Sequence, residues 1–253
     1  MTRVIAVASG KGGVGKTTLV SNLAAALANF QKSVVAIDGN LNTANLGMHL
    51  GIPMYPDTIQ DVLAGRVRVK DAVYFHPAGF RVIPADVSLS KLMSPGANEL
   101  LNVFYKMAED SDFVLIDSAA GVGKEAVEAV RAADELLLVT NPEVPALTDA
   151  LKILKRAEEH GTQPLGVVVN RVRKRPHEVS VEDVESFMGL PVLGVISEDH
   201  NIGKSLAGSQ PVVTYNPKSP AARQFMALAA RLVGREYKAR PALVYRLFGW
   251  LRI

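Results

Sequence analysis

The stretch Gly10 to Thr17 reads G-K-G-G-V-G-K-T and constrains the fold more than any other part of the chain. An apolar, β-branched run (VIAVA, 4–8) precedes it, and a helix-patterned segment (TTLVSNLAAALANF) follows it. A strand, a glycine loop and a helix in that order form a cradle for phosphate. The glycines let the backbone curl until successive N–H groups point at the same oxygens, and the helix N-terminus adds its dipole. The spacing fits G-x-x-x-x-G-K-[ST]. Gly10, Gly12, Gly13, Val14, Gly15 and Thr18 are therefore expected to line a nucleotide site. Lys16 is expected on the β- and γ-phosphates, and the Thr17 hydroxyl on Mg²⁺.

The rest of the chain extends this unit. Continuous apolar runs recur at 33–38, 80–85, 113–117, 135–140, 164–170 and 191–196, separated by segments with apolar residues three and four apart. Continuous rather than alternating strands imply a parallel sheet buried on both faces. The alternation with helices implies right-handed crossovers. The expected class is α/β: a doubly wound, mostly parallel sheet of the P-loop NTPase type with helices on both faces. Hydrophobic residues make up 48% of the chain and charged residues 21%, enough for one sizeable core. There is no cysteine, which excludes disulfides, thiolate metal sites and iron–sulfur clusters. No signal-peptide layout and no apolar stretch of about 20 residues is present, so a cytoplasmic protein is expected.

Two aspartates stand at strand ends. Asp38 and Asp117 each close an apolar run, which places them at the carboxyl edge of the sheet, where ligands bind. There a carboxylate can hold the waters of Mg²⁺. Asp117 is the first candidate for that role, and Asp38 is expected just outside it. Asn170 ends another strand, where its amide could pair with N6 and N7 of adenine. The run Asn170-Arg171-Val172-Arg173 lacks the acid of the guanine-reading N-K-x-D pattern, which favours ATP.

An ordinary phosphate loop has no need of Lys11. With that lysine, K-G-G-V-G-K-T resembles the deviant Walker A motif of the ATPases that include MinD, ParA and the nitrogenase iron protein. VVAIDGNLNTANLGMHLG resembles the second strand and first switch of that family, and FVLIDSAAGVG its Walker B strand and second switch. LLLVTNPEVPALTDALK and VISEDHNIGKSLAGSQPVV resemble later MinD segments, archaeal in style. The resemblance implies an ATP-dependent homodimer in which Lys11 reaches the other subunit's phosphates. It also implies nucleotide contacts by Arg171 and, near the base, by Asp199.

One departure concerns chemistry. The family's first switch reads Asp-x-Asp, and its second Asp orients the attacking water; this chain has Asp38-Gly39-Asn40. An amide accepts a hydrogen bond from water but cannot take its proton, and losing a positioned base typically costs about 10²- to 10⁴-fold. Slow hydrolysis is expected, unless Asn40 is a turn residue and the role lies elsewhere.

Charge is uneven. Net charge is +3, yet Lys238, Arg240, Arg246 and Arg252 leave the first 237 residues at −1. Residues 241–253 read PALVYRLFGWLRI. At about 100° per residue Leu243, Val244, Leu247, Phe248, Trp250 and Leu251 share one arc of about 160°, and Arg246 and Arg252 lie opposite. Such a helix suits a membrane interface. The domains expected are therefore an ATPase over 1–237 and a membrane-targeting helix over 238–253, with an anionic membrane surface as partner. That pairing implies a spatial regulator, reversibly peripheral on the inner face of the cell membrane and recruiting a cargo or activator. The cluster Arg171, Arg173, Lys174, Arg175 is the one feature favouring a ParA-like DNA-binding protein instead, by counterion release. A loop charge run is more often solvated, and DNA is the less favoured partner.

Overall fold

The computed structural model describes residues 2–51, 55–86, 88 and 95–237. Strand β1 (Arg3–Ser9) runs through the glycine loop into helix α1 (Lys16–Asn29), and β2 (Val34–Gly39) follows. The short helices α2 (Leu46–His49) and α3 (Ile59–Leu63) and a 3₁₀ turn (Val69–Ala72) lead to β3 (Tyr74–His76) and β4 (Phe80–Ile83). Then come α4 (Ala97–Ala108), β5 (Phe113–Ala120), α5 (Lys124–Arg131), β6 (Glu135–Thr140) and α6 (Val144–His160). The chain continues through β7 (Gln163–Val172), α7 (Val181–Met188), β8 (Val192–Ser197), α8 (His200–Ala207), α9 (Val212–Tyr215) and α10 (Pro220–Leu232).

Among the described residues the strands form one sheet in the order β3-β4-β2-β5-β1-β6-β7-β8. All pairs are parallel except β3 with β4, so the expected doubly wound architecture is what the chain adopts. β3 is the antiparallel exception: a three-residue edge strand too short to carry an apolar run of its own. The proposed tail, 238–253, lies outside the described residues.

The period of two along β1 divides the core. Val4, Ala6 and Ala8 pack with α4, α5 and α6 on one face, while Ile5 and Val7 pack with α1 and α10 on the other. Helix α1 is enclosed by the sheet, α9 and α10, and buries 11 of its 14 residues. Its alanines suit that enclosure, because small side chains admit close approach on every side. β1 sits centrally, with β5 on one side and β6 on the other, so the chain winds outward in both directions from its carboxyl end. This is the switch point at which open α/β sheets bind ligands.

Candidate functional site

The glycine loop lies at that switch point. Gly15, immediately before α1, has φ 102°, a left-handed conformation, and a Cβ there would meet Asn170 Nδ2 at 2.2 Å. No acidic side chain occupies the first turn of α1 and no side chain caps it, which leaves its N–H groups for an anion. Gly10 is equally constrained, because an added Cβ would stand 2.0 Å from the backbone carbon of Asp149 in α6. The loop borders a cleft of about 390 Å³ lined by Gly12, Gly13, Lys16, Thr17, Asn40 and Ser118, among others. A smaller cavity of about 180 Å³ shares Gly15, Thr18, Arg171 and Leu206 with it and is lined also by Asn170, Ser197 and Asp199. The two together have the form of a phosphate cleft opening into a base cavity.

Lys16 is buried, and its Nζ donates to Ser9 Oγ at 2.9 Å. Burial lowers its pKa, and the charge of Asp117 opposes that shift. Asp117 itself is 1% exposed, and no donor reaches either carboxylate oxygen in hydrogen-bond geometry. The Thr17 hydroxyl is nevertheless close enough to favour its charged form. A buried carboxylate with both oxygens orphaned, beside a threonine hydroxyl and a phosphate loop, has the donor set of a hydrated Mg²⁺ site.

Asp38 stands at the expected strand end, with a structural task in addition. It too is fully buried, but Oδ1 accepts from the Asn40 N–H at 3.1 Å, and Oδ2 from those of Asn45 and Leu46, both at 3.0 Å. Its carboxylate folds the loop after β2 over the cleft, which leaves about one of its roughly four lone-pair sites for a water of the metal. Asn40 lines the cleft, yet its amide is closed on Thr43: Nδ2 donates to the Thr43 carbonyl at 2.7 Å, and Oδ1 accepts from the Thr43 hydroxyl at 2.8 Å. In this arrangement Asn40 holds the turn, with one amide hydrogen and one lone pair of Oδ1 committed to Thr43. Asn42 ties the same loop to α5, donating through its backbone and side chain to Glu125 at 3.2 and 3.0 Å.

Asn170, Arg171 and Asp199 all line the cavities, and two of them also hold the protein's own backbone. The Asn170 Nδ2 donates to the Val14 carbonyl at 2.7 Å, pinning the phosphate loop, while its Oδ1 is buried without a donor. One amide hydrogen is thus committed to the loop, and the free acceptor is the group available to a base amine. Arg171, at φ 59°, lines both cavities. Asp199 lines the base cavity but caps α8, accepting from the Asn201 N–H at 2.9 Å, Asn201 Nδ2 at 2.7 Å and the Ala221 N–H at 3.2 Å. Burial raises its pKa, and these hydrogen bonds outweigh it to leave the carboxylate below its usual range. Its oxygens are spent on helix geometry, and reading a base through them would forfeit the cap.

Lys11 is not among the residues lining the cleft; its ammonium lies 3.5 Å from Glu143 Oε2, at the cap of α6, and its side chain is 39% exposed. Sequence reasoning missed Ser9, Glu143 and Thr43, whose importance comes from contacts and not from any motif.

The chain matches the CobQ/CobB/MinD/ParA nucleotide binding domain over residues 5–212. It is 42% identical over 240 residues to an uncharacterized ATP-binding protein of Methanocaldococcus jannaschii, covering 95% of this chain and 91% of that one. Among solved structures it resembles the cell division ATPase MinD of Pyrococcus furiosus, with a TM-score of 0.88 and 37% identity over 92% of this chain and 99% of that one. The septum site-determining protein MinD of Pyrococcus horikoshii, solved with Mg-ADP, gives 0.87 and 36% over 92% and 96%.

Proposed function

The chain belongs to the CobQ/CobB/MinD/ParA nucleotide-binding family and is MinD-like within it, and from that membership we propose an ATP-dependent, dimerising and membrane-associating ATPase that acts as a spatial regulator. ATP and Mg²⁺ occupy the cleft, with Lys16 on the phosphates, Thr17 and Asp117 around the metal, and Asn170 Oδ1 accepting from the adenine amine. The single observation that carries the dimer reading is the outward course of Lys11. A loop lysine that served its own phosphates would line its own cleft; this one is parked on Glu143 at the surface, available to a second nucleotide.

Residues 1–237 form the ATPase in this reading, and 238–253 the membrane-seeking tail. Among the described residues no helix is long and apolar enough to cross a membrane; the apolar and basic composition of the tail supports a peripheral mode of attachment. Hydrolysis is slow because Asn40 supplies no base, and release from the membrane follows hydrolysis. A cargo or activator completes the cycle.

Sedimentation velocity tests the reading. The parent should be monomeric in ADP and dimeric in ATP with Mg²⁺, and Lys11→Ala should stay monomeric in both. A Lys11→Ala protein that dimerises like the parent removes the cross-subunit role. ATP-independent liposome binding by the full chain removes the nucleotide-controlled membrane cycle.

A further inference from the structure

Ser9 is the last residue of β1 and is completely buried. Its position makes it a junction. Lys16 Nζ donates to its hydroxyl oxygen at 2.9 Å, and the hydroxyl donates to the Lys11 carbonyl at 2.8 Å. Its own carbonyl accepts from the Gly121 N–H at 2.9 Å, where β5 passes into the second switch. The direction of these bonds is forced. An ammonium has donors and no acceptor, so Ser9 can only accept from Lys16, and its single hydrogen is left for Lys11. Ser9 itself is closed to solvent, so the hydroxyl makes both bonds within the protein. A hydroxyl that accepts from a cation is also a better donor, since bonds in a chain polarise one another.

We propose that Ser9 is a positioning residue that yokes the two lysines of the loop, holding Lys16 over the phosphates of its own cleft and fixing the backbone from which Lys11 departs toward the second subunit. This rests on the dimer reading above and assigns its geometry to one buried hydroxyl. Glu143 restrains the far end of the Lys11 side chain, and Ser9 restrains the near end. With the hydroxyl gone, the Lys11 carbonyl loses its donor and Lys16 loses its acceptor at the same time.

The test uses two nearly isosteric replacements in the full chain, Ser9→Thr and Ser9→Val, which differ by the hydroxyl alone and suit a strand equally. Fluorescence titration with a methylanthraniloyl-ADP probe reads the Lys16 end, and the dimer dissociation constant in ATP with Mg²⁺ reads both ends. Threonine should keep both constants within about threefold of the parent. Valine should weaken ADP binding and weaken the dimer further still, by about tenfold or more, as expected for a lost hydrogen bond to a charged group. Ser9→Ala, which adds no atom to the core, should repeat the valine result in both constants and so separate the lost hydroxyl from any crowding by the larger side chains. Equal behaviour of Thr and Val overturns the proposal, as does a loss confined to ADP affinity. A parent that stays monomeric in ATP overturns the dimer reading itself, and is distinguished by failing before any substitution is made.

Discussion

Asp38 and Asp117 are register partners on the adjacent parallel strands β2 and β5, and both are buried on the face that α1 covers. Two carboxylates held so close out of water cannot both ionise freely. Desolvation raises both pKa values, and the charge of Asp117 adds to the shift on Asp38. Backbone N–H groups on Asp38 and the Lys16 ammonium near Asp117 work against the shift without cancelling it. The raised pKa values favour protonation of the pair, and a divalent cation held there would favour its charged form instead.

The pair has a pH signature in the metal-free protein. An acid whose folded pKa exceeds its unfolded value retains a proton that the unfolded chain has released, so this contribution to stability falls as pH rises through that interval. Asp117→Asn mimics the protonated form. In chelator, the melting temperature of Asp117→Asn relative to the parent should rise from pH 5 to pH 8. A constant difference would show that the pair does not titrate in this range.

Asn40 predicts slow turnover with intact binding. Its amide is tied to Thr43 at both ends, and an amide oxygen cannot take a proton from the attacking water. Asn40→Asp should bind ATP as the parent does and raise single-turnover hydrolysis at least about tenfold, a floor below the 10²- to 10⁴-fold typical of a positioned base. An unchanged rate moves the water-orienting role to another residue.

Asn170→Ala removes the donor that holds the Val14 carbonyl and the acceptor proposed for adenine. Nucleotide affinity should fall about tenfold or more, in keeping with loss of a buried hydrogen bond. The preference for ATP over GTP should shrink at the same time. Equal losses for both nucleotides in competition titrations would assign Asn170 to the loop alone.

The tail offers a fourth expectation. A single acyl chain gives only marginal membrane binding, about 10⁴ M⁻¹, and stable anchoring takes two signals. Two tails on one dimer act at high effective concentration, so apparent affinity should rise about 10²-fold without any new contact. Residues 238–253 fused to an unrelated constitutive dimer should co-sediment with anionic liposomes far better than the same fusion on its monomeric mutant. Added salt should weaken the binding, since Arg246 and Arg252 would lie on the polar side of the proposed helix. Equal binding by the two fusions sinks tail counting.

The phosphate loop was legible in the chain because everything it needs is local. Glycines that permit φ of 77° and 102°, a lysine and a hydroxyl at fixed offsets, and a helix start all lie within nine residues. The parallel sheet was legible for a similar reason: burial on both faces leaves its mark on each strand separately. What only the tertiary structure decided are meetings between distant residues. Asn170 meets Val14 across 156 positions, Asp38 faces Asp117 because two strands share a register, and Lys11 finds Glu143 where α6 begins. The same packing gave Asp199, which lines the cavity, the further task of capping a helix, and tied Asn40 to Thr43. A side chain's chemistry is written in its type, but its role depends on which partner reaches it first. That is settled by strand order and register, which no short stretch of sequence contains.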